Sequence, residues 1–389
     1  MRGNITRRGR ESWRLRFDVG VDANGKRKVQ SVTVRGTKRR AQVKLSELLT
    51  AVDKGTFVEV SRVTVAEHVR ARVTQWEASG EITGRTAERY RELVENQIVP
   101  HLGAKRLQAL KTVDIEQWHT ILRTKGRKGG GGLAARTIAS AHRVLSKALR
   151  EAVKHDMLVR NVAGRDGQRA PKIQAEEIEI LPADKIDAVI EALRGRTMYA
   201  VVIVALFTGL RRGELLALRW ANVDLIAKEI RIRESLERIR QLGFRFKAPK
   251  TKAGRRDVTL PDIVIGALAD HRRRQLEQRV AMGAGKLPAD ALVFSAPNGS
   301  PRSPDNLSRD WAECAAAIGL PGVTFHALRH THASQLIDAG VDVVRISKRL
   351  GHASPNVTLT TYAHLFHRRD NLSADAINAA LARPDVTRS

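Results

Sequence analysis

His326-Ala327-Leu328-Arg329-His330 sets an arginine and two histidines at spacings of three and four, so one face of a helix presents all three. Two other segments share its chemistry. Thr208-Gly209-Leu210-Arg211 lies upstream, and Leu350-Gly351-His352 lies downstream, with Tyr362 ten residues beyond His352. Arginine offers a rigid fork of donors that matches phosphate oxygens. A phenol becomes a covalent nucleophile once it is activated. Arginines that grip a phosphodiester and a phenol that attacks it are the means of breaking and rejoining DNA.

Each segment also has a plainer reading. Arg211 at a turn between helices could be a surface charge, and Tyr362 a packing residue. Lys250, within Pro249-Lys250-Thr251-Lys252-Ala253-Gly254, could be a solvated cation on a basic turn. His330 or His332 could be a satisfied core histidine. A histidine pair four apart also suits zinc, but Ala327 stands where a zinc protease has its glutamate, and Arg329 would set a cation beside the metal. No metal or other cofactor is expected. It is the conjunction of segments that favours phosphate chemistry.

The rest of the chain agrees with a DNA partner. Its 389 residues are too many for one ordinary domain. A net charge of +28 calls for a polyanion, with DNA phosphates the default. A membrane surface is the competitor. However, the longest apolar run, Met198 to Phe207, is ten residues, about half a spanning helix. Arg2, Arg7, Arg8 and Arg10 have no apolar stretch behind them, so no signal peptide is read and no membrane partner is expected. The single cysteine, Cys314, cannot form an internal disulfide and argues for a reducing cytoplasm.

The predicted fold class is multidomain α+β. Residues 1–57 carry 15 Lys+Arg against 5 Asp+Glu. Within them, Trp13 to Val19 alternates as a strand, Ala23-Asn24-Gly25 reads as a hairpin turn, Val29 to Val34 as its partner strand, and Thr37 as the cap of a helix to Asp53. The result is a small sheet with a helix on it. Residues 64–162 are helical throughout, with Thr64, Thr86 and Thr137 near helix starts and apolar residues three and four apart. The glycine run 129–132 connects two of these helices; it lacks the terminal Lys-Ser/Thr of a phosphate loop. A polar linker spans 163–180. Residues 181–375 form a mainly helical domain that carries the motifs, with a small antiparallel sheet, and 376–389 are a tail. Strands are read at Arg231 to Arg233, Phe244 to Lys247 and Asp257 to Leu260. Lys250 falls in a hairpin between the last two.

These residues resemble the tyrosine recombinase family, in its branch of phage and integrative-element integrases. The matching elements are Thr-Gly-Leu-Arg-x-x-Glu-Leu at 208–215, Lys250, His-x-Leu-Arg-His at 326–330, Leu-Gly-His at 350–352 and Thr-Tyr-x-His at 361–364. The likeness is strong from about residue 175 to 375. The helical region resembles the family's core-binding domain by position and pattern, and residues 1–57 its arm-type DNA-binding domain.

The resemblance implies a mechanism. Tyr362 would attack the scissile phosphate and leave a 3′-phosphotyrosyl bond and a free 5′-hydroxyl. Arg211 and Arg329 would hold the non-bridging oxygens, and Lys250 would protonate the leaving oxygen. His326 and His352 would orient the phosphate and handle the tyrosine proton. The bond energy is kept, so neither ATP nor a metal is needed. The resemblance also implies a homotetramer on double-stranded DNA at core-type and arm-type sites, a directionality or DNA-bending partner, and work in the bacterial cytoplasm or nucleoid. A chromosome-dimer resolvase fits the basic N-terminal unit less well, a non-cutting regulator fits the complete catalytic set less well, and a type IB topoisomerase fits the motif spacing less well.

Overall fold

The computed structural model describes residues 3–21, 25–55, 57–127, 129–174, 179–240, 242–249 and 251–366, with Asn378 and Leu381. The chain forms two compact units, Met1–Ala175 and Glu176–Ser389.

The first unit opens with β1 (Gly3–Gly9), β2 (Ser12–Val21) and β3 (Arg27–Arg35), an antiparallel sheet in sequential order. Helix α1 (Lys38–Asp53) covers one face. Alternation along β2 turns Trp13, Leu15 and Phe17 to that helix, where Leu15 and Phe17 meet Ala41 and Leu45. Thr37 caps α1 by accepting from the Arg40 N–H at 3.3 Å. Strand β1 is absent from the sequence reading, because Ile5 is its single apolar side chain and no alternation shows. Its backbone supplies the pairing, with Ile5 opposite Leu15. The turn read at Ala23-Asn24 lies outside the described residues.

Helices follow: α2 (Val65–Ala78), α3 (Gly84–Leu93), α4 (Val99–Leu102), α5 (Thr112–Lys125) and α6 (Ala135–Lys154). Thr64 and Glu67 form a reciprocal capping box at the start of α2. A π-helical turn, Val94–Ile98, joins α3 to α4. The core holds Val69, Val73, Trp76, Ile115, Trp118, Leu145 and Leu149, and it also takes in Val162 and Ala163. The helical packing therefore reaches one residue past the expected boundary at 162.

The second unit is built on α8 (Tyr199–Thr208), which is buried on nearly every side and follows α7 (Ile186–Leu193). After α9 (Arg212–Leu216) come β4 (Val223–Asp224), β5 (Glu229–Ile232), β6 (Ser235–Ile239), β7 (Gly243–Lys247) and β8 (Arg256–Thr259). Then come α10 (Asp262–Ala281), α11 (Pro304–Ala317), α12 (Ala327–Asp338), α13 (Val343–Leu350) and α14 (Pro355–Phe366). Helices α10 and α12 pack on α8. No helix among the described residues is long and apolar enough to cross a membrane.

The strands correct one expectation. β7 and β8 do not flank a hairpin. β7 pairs with β6, and β8 pairs with β5 in a separate sheet of order β4-β5-β8. A short turn through Gly243 (φ +72°) closes β6 onto β7. β8 instead sets Val258 opposite Ile230, both buried in the main core. The segment carrying Lys250 thus crosses between two sheets, with a 3-10 turn at Lys252–Gly254. Lys250 itself lies outside the described residues, as do Ile377 and Ala380 of the expected tail face. Leu381 is helical and exposed.

Candidate active site

Two helix ends build the arginine pair. α8 ends at Gly209 and α13 at Gly351, each in the left-handed conformation with φ 65°. Carbonyls at a helix end have no partner within the helix, and here they meet guanidinium groups. Arg329 donates through Nη1 to the Gly209 carbonyl at 2.5 Å and through Nη2 to the Leu350 carbonyl at 2.7 Å. Arg211 donates through Nη2 to the Gly351 carbonyl at 2.8 Å. A Cβ on Gly209 would lie 2.6 Å from His332 Cδ2, so glycine is required by space as well as by φ.

A buried carboxylate sets the other side. Glu214, 4% exposed, accepts from the Arg211 N–H at 2.9 Å, from Arg211 Nη1 at 2.8 Å and from Arg256 Nη2 at 2.9 Å. Burial pushes its carboxyl up, but the hydrogen bond and charge of Arg256, together with Arg211, outweigh burial and hold it below the usual range. Arg256 is fixed in turn by Nε donating to the Arg349 carbonyl at 2.6 Å. Neither Glu214 nor Arg256 was among the residues assigned a role from sequence. Glu214 left a signal, three residues beyond Arg211 within the 208–215 motif. Arg256 left none, because β8 alone brings it there.

The histidines and the tyrosine complete the cluster. His326 precedes α12 and meets His330 edge to face, with ring centroids 4.7 Å apart. His330 Nδ1 lies 2.8 Å from the Tyr362 hydroxyl. His352 Nδ1 and Thr358 Oγ1 are 2.7 Å apart. Burial, with His326 and Arg329 nearby, lowers His330 to about 4; burial, with Arg329 and Arg211, lowers His352 to about 4. Both rings are neutral at neutral pH. Burial, aided by Arg211, lowers Arg329 to about 9, which leaves it charged. Burial raises the Tyr362 phenol to about 12, with Arg329 pulling the other way. Tyr362 is 1% exposed among Ala333, Ile346, Leu350 and Leu365, and α14 is kinked at this residue (φ −120°, ψ 15°).

Of the six residues expected at the site, Arg211, His326, Arg329, His352 and Tyr362 fall in this one cluster, and Lys250 lies outside the described residues. His330 was weighed as a core histidine and instead contacts the phenol. His332 fits the core reading: 4% exposed, it accepts at Nε2 from Arg349 Nε at 2.9 Å.

The phage integrase family matches residues 179–369. The chain is 30% identical to an integrase of Streptomyces ambofaciens, over 91% of this chain and 89% of that one. It is 27% identical to a XerC-like tyrosine recombinase of Caldanaerobacter subterraneus, over 96% and 98%. Among solved structures it resembles the Tn1549 transposon integrase in complex with a circular intermediate DNA, with a TM-score of 0.67, 23% identity, and coverage of 82% of this chain and 100% of that one.

Proposed function

The chain belongs to the phage integrase family of tyrosine recombinases, site-specific enzymes that cleave and rejoin DNA for mobile elements, and from that premise we propose how its own residues do so. Tyr362 attacks the scissile phosphorus, giving a 3′-phosphotyrosyl bond and a free 5′-hydroxyl. Arg211 and Arg329 hold the non-bridging oxygens, where negative charge grows in the transition state. The observation that carries this assignment is the pinning of both guanidinium groups by helix-end carbonyls and Glu214, which fixes them before any substrate arrives. Preorganised donors of this kind are each worth roughly 3–4 kcal/mol. Lys250 is assigned the proton for the leaving 5′-oxygen. His326 and His352 orient the phosphate. The phenol is buried at rest, so attack requires it to turn out from α14, where the helix is already kinked.

Residues 1–57 are assigned to arm-type DNA. The sheet face away from α1 carries Asn4, Thr6, Arg14, Arg16, Ser31, Thr33 and Arg35 by register, and its carboxylate Asp18 is paired with Arg27. Residues 64–162 are assigned to the core site and 181–375 to catalysis. Two sites cut one strand per copy call for a homotetramer on DNA, with a directionality or bending protein as partner and the bacterial cytoplasm or nucleoid as the place.

The test uses nicked suicide substrates cut from DNA that flanks the gene, without metal or ATP. A denaturant-stable protein–DNA adduct is expected from the wild type and none from Tyr362→Phe. An adduct from Tyr362→Phe, or none from the wild type on DNA that it binds tightly, would overturn the assignment.

A further inference from the structure

A phenol that attacks phosphorus must lose its proton, and among the described residues three histidines of the site, His326, His330 and His352, could take it. His352 is engaged at Nδ1 with Thr358, and His326 meets the ring of His330 rather than the phenol. Among the described residues, the hydrogen-bond partner of the Tyr362 hydroxyl is His330 Nδ1, at 2.8 Å. An imidazole that accepts at Nδ1 is the neutral tautomer with its proton on Nε2.

We infer that His330 is the catalytic base for Tyr362: it takes the phenolic proton as the bond to phosphorus forms and gives it back when the strand is rejoined. The inference rests on the reading of Tyr362 as nucleophile. In cleavage the Tyr362 Oη–P bond forms and the P–O5′ bond breaks. The phenolic proton passes to His330 Nδ1, and the 5′-oxygen takes a different proton, from the acid assigned to Lys250. Rejoining runs the same steps backwards, so atoms and charge balance in both directions.

Two features favour this role over packing. His330 is neutral at neutral pH, the state a base needs, because burial, His326 and Arg329 keep it low. It is too weak to ionise a free phenol raised to about 12. It need not do so, because the phenol grows acidic as its oxygen bonds to phosphorus and the imidazolium forms beside a phosphate that is gaining negative charge. His330 also follows Arg329 directly on α12. A phosphate held by Arg329 keeps the attacking oxygen close to the next residue, even after Tyr362 turns outward.

The experiment compares adduct formation by the full-length protein and by its His330→Gln and His330→Ala variants on suicide substrates. One substrate is unmodified. The other carries sulfur in place of the 5′-bridging oxygen, so its leaving thiolate needs no proton. Binding to the same DNA is measured alongside. Both variants should bind as the wild type does and form adduct about 100-fold or more slowly, equally on the two substrates. The wild-type rate should fall on acidification as His330 protonates, and the variants should lose that limb. Glutamine can hold the hydroxyl but cannot take its proton, so near-wild-type cleavage by His330→Gln would overturn the inference and leave only positioning. A defect cured by the sulfur substrate would overturn it by moving His330 to the leaving-group side. Faster cleavage in either variant would overturn it by making His330 a latch on a resting tyrosine. His330→Gln decides the matter if His330→Ala fails to bind DNA. An adduct surviving in Tyr362→Phe would strike the nucleophile reading itself, a result separable from any of these.

Discussion

At the scale of the residue, the site depends on a buried carboxylate. Glu214 neutralises two arginines that would otherwise repel one another, and it is nearly inaccessible to water. Glu214→Ala would leave the Arg256 guanidinium, 7% exposed, without its counter-charge. Breaking one side of a buried ion pair costs about 3–5 kcal/mol. Urea denaturation should show a loss of that order, and adduct formation should fall because Arg211 loses the carboxylate that orients it. A variant as stable and as active as the parent would refute this role. Glu214 was visible in the sequence as part of a motif, yet its partner was not, since Arg256 lies in a strand whose pairing the sequence misassigned. The same misassignment put Lys250 on a β7–β8 hairpin. Three short strands with similar alternation leave the choice of partner open until burial of Val258 against Ile230 decides it. The arginines, His326, His352 and Tyr362 were legible because motif spacing carries them. The contact between His330 and Tyr362 was not, because 32 residues of chain separate the two.

At the scale of the element, α5 and α6 are joined by a buried histidine pair. His119 Nε2 and His142 Nδ1 are 3.1 Å apart, and both rings are almost wholly buried. Burial, with His142 and Arg123 nearby, lowers His119 to about 4, and burial lowers His142 as well. A base whose folded value lies below its unfolded value contributes stability that is complete above the unfolded value, near 6.5, and is lost as pH falls through 6.5 towards 4. For His119 the full effect is roughly 3 kcal/mol. Amide exchange in α5 and α6 should therefore quicken from about pH 7 to about pH 4.5, after correction for the intrinsic rate, and His119→Gln should blunt the change. Exchange protection that is flat across this range would dismiss the pair as a pH-sensitive joint. Helices such as α2 and α6 were legible because their apolar residues recur with helical period and, for α2, because Thr64 marks its start. Strand β1 and the π turn at Val94–Ile98 were not. One depends on backbone pairing and the other on a single extra residue per turn, and neither leaves a hydrophobic period.

At the scale of the whole molecule, the net charge of +28 suits a DNA partner, and the N-terminal sheet is the face proposed to carry part of that contact. β2 and β3 alternate, so burial of Leu15, Phe17, Val32 and Val34 on one face forces Arg14, Arg16 and Arg35 onto the other. That face is uncovered by α1, and Arg14 Nε already donates to Ser31 Oγ at 2.7 Å, which holds its side chain along the sheet. Each cation that neutralises a phosphate releases about one counterion, and the slope of log affinity against log salt counts them. Substituting all three arginines by alanine should therefore lower that slope by up to about three on DNA containing arm-type sites. Adduct formation on a substrate that holds only the core site should be unaffected, because the residues assigned to chemistry lie in the other unit. The two readouts separate binding by residues 1–57 from a general loss of charge. A slope that drops equally on arm-containing and core-only DNA would show that the charge acts non-specifically. An unchanged slope on both would place the DNA contact elsewhere than on this face.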